Sequence, residues 1–321
     1  MTITVRELKD VRPPLLWEPR EGAETSRFVE RKHVQTGIPK NALENVVFEA
    51  QQILGRCVDP KGPPGQRTGL VVGYVQSGKT LSFTTLTALA HDNGFALVVL
   101  IAGTLENLKQ QTLDRLTSDL ELTASGVIRP WLLVHQPSEN TSDAALLRQH
   151  LKNWTDPSYP QHKKRVCVAV VLKHPKRIAN LRDCLKGVEL AKIPTLVIDD
   201  EADQASLNTF AASNQAKGTN RTSANYREVL ALKQVFPHHT YVQYTATPQA
   251  NLLINLVDHL SPEFAELVSP GAGYVGGATL FKPMGGYAKT IPDSEASAKL
   301  STSSAPPATL VNALRMYLLA E

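Results

Sequence analysis

Gly73-Tyr74-Val75-Gln76-Ser77-Gly78-Lys79-Thr80 fits the pattern Gly-x-x-x-x-Gly-Lys-[Ser/Thr] at every fixed position. In that pattern backbone N–H groups wrap a triphosphate, the lysine reaches the outer phosphates and the hydroxyl ligates Mg²⁺. It carries this meaning only between a strand and a helix. Thr68-Gly69-Leu70-Val71-Val72 is a short β-branched run that ends at Gly73. From Lys79 to Asn93 the apolar spacing predicts a helix, closed by Gly94 at its C-terminal cap. Gly73, Gln76, Ser77, Gly78, Lys79 and Thr80 are therefore the candidate nucleotide-binding residues. Gln76 either contacts nucleotide or shapes the turn.

Downstream, the apolar run Thr195-Leu196-Val197-Ile198 delivers Asp199-Asp200-Glu201-Ala202-Asp203. A phosphoryl-transfer site needs a carboxylate at the end of a buried strand to hold Mg²⁺, and a second group to orient the attacking water. Asp200 fits the first role, beside Thr80, and Glu201 the second. Asp199 is the alternative in register; Asp200 is preferred because it begins Asp-Glu-Ala-Asp.

The flanking sequence predicts an alternation of strands and helices. Strands are expected at Phe95–Ala102, Trp131–Val134, Val166–Leu172 and Thr240–Tyr244, with helices near 105–120, 144–154, 177–185 and 226–236. Near-continuous apolar strands alternating with helices argue for an α/β fold with a mostly parallel, doubly wound sheet. Residues 1–67 read as an N-terminal extension with one helix, capped by Asn41 and preceded by an irregular, Pro- and charge-rich lead-in over 1–37. Residues 68–290 are the expected phosphate-loop lobe, 291–308 a Ser/Ala/Pro linker, and 309–321 the start of a further domain that the chain cuts short. The polar stretch 206–225 is long for a connection.

The 321 residues allow one large or two medium domains, and 42% hydrophobic with 20% charged residues is ordinary for a globular chain. A net charge of +4 is too small by itself to imply nucleic acid. Three scattered cysteines without Cys-x-x-Cys spacing, and no apolar leader, lead to an expectation of a reducing cytoplasm and no membrane partner. Restriction-type nuclease chemistry needs an acidic residue plus Glu-x-Lys at a strand, and it is not expected of these residues. Lys163, Lys164, Arg165, Lys173, Lys176, Arg177 and Arg182 form the one local basic concentration. They read either as phosphate contacts or as a solvated helix face.

Tyr244-Thr245-Ala246-Thr247-Pro248 follows the strand Tyr241-Val242-Gln243. Hydroxyls at such a strand end can hydrogen-bond Asp203 and link the nucleotide site to motion elsewhere. The order phosphate loop, Asp-Glu-Ala-Asp, Thr-Ala-Thr resembles motifs I, II and III of superfamily 2 helicases and translocases. Ile101-Ala102-Gly103-Thr104 resembles motif Ia, and Val171–Arg177 lies where motif Ib is expected. The stretches 73–80, 196–206 and 244–254, with Leu260–Leu267, Pro270-Gly271 and Tyr274–Gly277, are similar to the Z-one domain family. That family comprises prokaryotic helicase-like ATPases, often labelled endonucleases, from restriction-like and anti-phage neighbourhoods.

The resemblance covers roughly residues 40–320. It implies a RecA-like lobe using ATP and Mg²⁺ and acting on nucleic acid, DNA above all, with defence-system proteins as partners. It makes Lys79, Asp200 and Glu201 catalytic, and gives Asp203, Thr245 and Thr247 the coupling of hydrolysis to movement. Thr104, Lys173 and Lys176 become nucleic-acid contacts. The family's arginine fingers belong to a second lobe not found in this chain, so poor hydrolysis by the chain alone is expected. A different class also fits the motifs: a nucleotide-gated interaction module that recruits a nuclease or other effector without translocating.

Overall fold

The computed structural model describes residues 13–74, 78–123, 130–204, 222–248, 251, 260–271, 274, 276, 292, 295 and 306–320. Seven strands form one sheet: β1 (Gln66–Gly73), β2 (Leu97–Ala102), β3 (Trp131–His135), β4 (Val166–Leu172), β5 (Thr195–Asp199), β6 (His239–Thr245) and β7 (Phe264–Val268). Their order is β3-β4-β2-β5-β6-β1-β7, and every described pairing is parallel. β6, the Thr-Ala-Thr strand, stands between the phosphate-loop strand β1 and the acidic strand β5. This order is that of a RecA-like phosphate-loop fold. All C-terminal strand ends lie on one edge of the sheet, where doubly wound folds bind ligands.

The pleat explains why the inner strands read as continuous apolar runs. Val98, Leu100, Val168, Val170, Leu196 and Ile198 enter the core on one face, and Leu97, Val99, Ile101, Cys167, Ala169 and Val197 the core on the other. The first face is covered by α1 (Ala23–Thr36), α2 (Lys40–Leu54), α3 (Lys79–Asn93) and α4 (Glu106–Leu120). The second is covered by α5 (Ser142–Thr155), α6 (Pro175–Cys184) and α7 (Ala224–Gln234). Residues 273–321 form a separate compact unit containing α8 (Ala308–Ala320).

α3 spans the expected residues and ends at Gly94 in the left-handed region, φ 102°. It is buried almost all round, between the sheet and α1, α2 and α4. Its buried threonines survive because Thr84, Thr85 and Thr87 donate to the carbonyls of Thr80, Leu81 and Phe83 at 2.7–2.8 Å.

Two local expectations are corrected, and one strand, β7, had no counterpart in the sequence reading. The lead-in 1–37 is not irregular throughout, since α1 occupies 23–36, and the extension therefore holds two helices. The cap of α1 comes from elsewhere in the chain. Asp92, at the far end of α3, accepts the N–H groups of Gly22, Glu24 and Thr25 at 2.9–3.0 Å and the Thr25 hydroxyl at 2.7 Å. A Cβ on Gly22 would stand 2.7 Å from Asp92 Cγ, so only glycine admits this approach. Asn41 does not cap α2; the helix starts at Lys40, and Pro39 O accepts from Ala42 and Leu43. β7 was not foreseen as a strand. Its inward Glu266 disguises the alternation, and the structure offsets that burial with Arg56 at 3.0 Å. Beside it, the Phe264 ring packs where a Cβ on Gly69 would come within 2.2 Å.

Of the stretches singled out as connections, residues 205–221 and 296–305 lie outside the described residues. The three cysteines are buried free thiols, and burial pushes Cys57 and Cys167 up to about 12.

Candidate nucleotide site

β1 ends at Gly73, and Gly78 begins α3 in the left-handed region at φ 98°. Lys79 and Thr80 thus form the first turn of α3, where unpaired N–H groups and the helix dipole favour an anion. Both side chains are half-buried, and Gly78 is exposed. Gln76 and Ser77 lie outside the described residues.

β5 and β6 bring the acidic and hydroxyl motifs to the same sheet edge. Asp200 N–H donates to Ile101 O at 3.0 Å and Ala202 N–H to Tyr244 O at 2.9 Å, which pins the loop across β2 and β6. Within it Glu201 adopts φ 52°, a left-handed backbone rare for a residue with a side chain. Its Oε2 is buried and finds no hydrogen-bond partner among the described residues. This carboxylate lies over Gly103, where a Cβ would stand 3.6 Å from Oε2. The Asp200 carboxyl is pushed up to about 6, first by burial and then by the neighbouring Glu201, against the opposing pull of Lys173 and Lys79. Two crowded carboxylates, one of them with a buried oxygen that has no partner among the described residues, and two lysines whose charges reach Asp200 make a site that can take a cation and an anion together. Thr80 and Asp200 would hold Mg²⁺ there, and that donor set suits a hard, oxygen-seeking cation.

Asp203 is clamped by both threonines of the β6 motif. Thr245 Oγ1 donates to its Oδ1 and Thr247 Oγ1 to its Oδ2, each at 2.6 Å, and Thr247 N–H donates to Thr245 Oγ1 at 2.9 Å. β6 is tied to α3 as well: the Ser82 and Tyr244 hydroxyls meet at 3.2 Å, and the Phe83 and Tyr244 rings pack edge to face at 5.7 Å.

The basic residues separate by burial. Lys173 is corrected: its ammonium is fully buried, so it is not available to a nucleic-acid phosphate. It pairs with Asp199 Oδ1 at 2.9 Å and donates to Asp200 O and Glu201 O at 2.7 Å each. The ammonium thus hydrogen-bonds two carbonyls, while Asp199 Oδ1 faces it as an ion pair without a hydrogen bond of its own. Asp199 itself is buried, with its other oxygen taken by the Tyr241 hydroxyl, so it is not the exposed carboxylate of the motif. Lys164 lies against Trp154, donating to its carbonyl at 2.8 Å, and Arg182 pairs with Glu228 at 2.8 Å. Lys176 is exposed on the first turn of α6, and Thr104 is half-buried just past β2.

Sequence reasoning missed Tyr241, Gly103 and the true role of Lys173 and Asp199. A signal was present: the pleat that sends Val171 and Val197 to one face sends Lys173 and Asp199 there too. Two Glu-x-Lys triplets also occur. Glu30-Arg31-Lys32 lies on α1, where Glu30 pairs with Lys40 at 2.6 Å and Lys32 with Asp119 at 2.7 Å. Glu7-Leu8-Lys9 lies outside the described residues. Among the described residues no helix is long and apolar enough to cross a membrane.

No family model matches the chain, and no curated protein matches it. Among solved structures it is similar to the Hef helicase domain of Pyrococcus furiosus, with 16% identity and a TM-score of 0.37 over 63% of this chain and 35% of that one. It is also similar to the signal recognition particle 54 kDa protein of Aeropyrum pernix K1 in complex with GDP. There the identity is 12% and the TM-score 0.24, over 70% of this chain and 54% of that one. The chain thus spans about a third and about half of the lengths of these two.

Proposed function

We propose that the chain is the phosphate-loop lobe of an ATP- and Mg²⁺-dependent, helicase-like motor that acts on nucleic acid. DNA is the favoured track, and anti-phage or restriction-type defence the favoured setting, in line with the Z-one resemblance. The observation that carries the proposal is the convergence of Lys79, Asp200, Glu201 and the Asp203–Thr245–Thr247 clamp on one edge of a RecA-like sheet. In this reading residues 1–67 are an extension, 68–290 the lobe and 291–308 a linker.

Lys79 and the first N–H groups of α3 bind the phosphates and hold them at the strand ends. Mg²⁺, when bound, would supply charge neutralisation at the phosphates, and Thr80 and Asp200 would be the residues that hold it. Glu201, over Gly103, orients the attacking water and takes its proton at the carboxylate. Asp203 transmits the state of the site to β6 through Thr245 and Thr247.

A second reading is favoured by the burial of Lys173. With that lysine removed from the candidate contacts, Lys176 is the one cation left of those assigned to nucleic acid, which suits a nucleotide-gated module that recruits an effector protein. ATP turnover measured with and without single-stranded and duplex DNA, at low and high salt, separates the two. A motor responds to DNA severalfold and loses the response at high salt as counterion release weakens binding. No response to either DNA at low salt would exclude the motor and leave the gated module.

A further inference from the structure

We infer that Lys173 is a positioning residue for the acidic loop: its buried ammonium fixes the backbone that aims Asp200 and Glu201. This deepens the hydrolytic reading above and rests on it.

Lys173 is the first residue past β4, and its backbone N–H donates to Ala102 O at 3.0 Å and Gly103 O at 3.3 Å. Its side chain crosses beneath the end of β2 to the β5 loop. There the ammonium gathers the Asp200 and Glu201 carbonyls and the Asp199 carboxylate. One residue therefore holds both walls around the Glu201 carboxylate: Gly103 through its backbone, and the Asp200–Glu201 peptide through its side chain. The left-handed turn at Glu201 brings two successive carbonyls to a single donor group. An ammonium buried between them stabilises that turn, because it hydrogen-bonds both carbonyls while its charge faces the Asp199 carboxylate. Tyr241, donating to the far oxygen of Asp199, keeps the carboxylate facing the lysine.

The position in the chain has a consequence. Two residues on, α6 begins with Pro175 and the exposed Lys176, and His174 Nδ1 accepts the Lys176 N–H at 3.3 Å. A displacement of the β4–α6 corner thus reaches the acidic loop through a single residue, Lys173.

The test compares wild type, Lys173→Met and the double variant Lys173→Met/Asp199→Asn. The double variant removes both buried charges together, which leaves no unpaired ion and preserves folding where the single variant does not. Three quantities are read: binding of a fluorescent ATP analogue with Mg²⁺, steady-state ATP turnover, and hydrogen exchange of the Asp200 and Ala202 amides. The double variant is expected to keep its dissociation constant within threefold, to lose tenfold or more in kcat, and to exchange those two amides at least tenfold faster, with β2 and β4 amides unchanged. Unchanged kcat and unchanged exchange in a folded double variant would overturn the inference. So would a uniform speeding of exchange throughout the sheet, the mark of a purely structural residue. If wild type itself neither binds nor hydrolyses ATP, the hydrolytic reading fails instead, a distinct outcome.

Discussion

Two carboxylate centres flank α3, and they are built to opposite ends. At the far end of the helix, Asp92 is closed. Burial pushes its carboxyl up, but His91, Thr25 and the backbone N–H groups of Thr25 and Glu24 outweigh that and hold it below its ordinary value. At the phosphate-loop edge, Asp200 is open. Burial and Glu201 push it up to about 6, and the adjacent Glu201 Oε2 has no partner among the described residues. A carboxylate surrounded by donors is part of the scaffold. A crowded pair short of donors is a place for a cation and a phosphate.

The largest expected effect lies in the open centre. Glu201→Gln removes the proposed base but keeps the shape, so ATP turnover is expected to fall by about 10²–10⁴ while nucleotide binding persists; steady-state turnover and equilibrium binding on the same preparation check both halves. In the closed centre, Asp92→Ala leaves the start of α1 without its acceptor. It costs about 3 kcal/mol of stability in denaturant unfolding, with nucleotide binding unaltered.

The pH dependences of the two centres have opposite signs. Asp92 has a folded pKa below its unfolded one, so its contribution is full above about pH 4 and fades as pH falls through the folded value. Asp200 is raised to about 6 in the folded state. Its contribution is full below about pH 4 and is lost as pH rises to about 6. Asp200→Asn therefore stabilises the metal-free protein by about 3 kcal/mol at pH 7 and not at pH 4, and added Mg²⁺ narrows the gap by stabilising wild type. Equal stabilities at both pH values would contradict the account of Asp200. The smallest effect is at the rim: Thr247→Val removes one exposed bond to Asp203 and costs about 1 kcal/mol or less.

The contrast also explains what was legible in the sequence. The open centre is local: Gly73 to Thr80, Asp200 to Asp203 and Thr245 to Thr247 are short motifs at strand ends, and both the strands and α3 were visible from apolar runs and Gly94. The closed centre is non-local. α1 is polar and begins at a glycine without a cap of its own, and the acceptor that starts it lies on another helix. Lys173 was misread for a related reason. A lysine after a strand, near other basic residues, looks solvated until its acceptors on β5 are known. β7 was hidden by an inward glutamate whose partner, Arg56, follows α2.

The central claim is that Lys79 and the acidic loop form one nucleotide site, and it is tested most directly by equilibrium binding of Mg²⁺·ATP to wild type, Lys79→Ala and Glu201→Gln. Saturable binding by wild type and Glu201→Gln, with affinity lowered about 100-fold or more in Lys79→Ala, is the predicted result, in line with the loss of a buried charge-assisted contact. Binding by Lys79→Ala at wild-type affinity would contradict it.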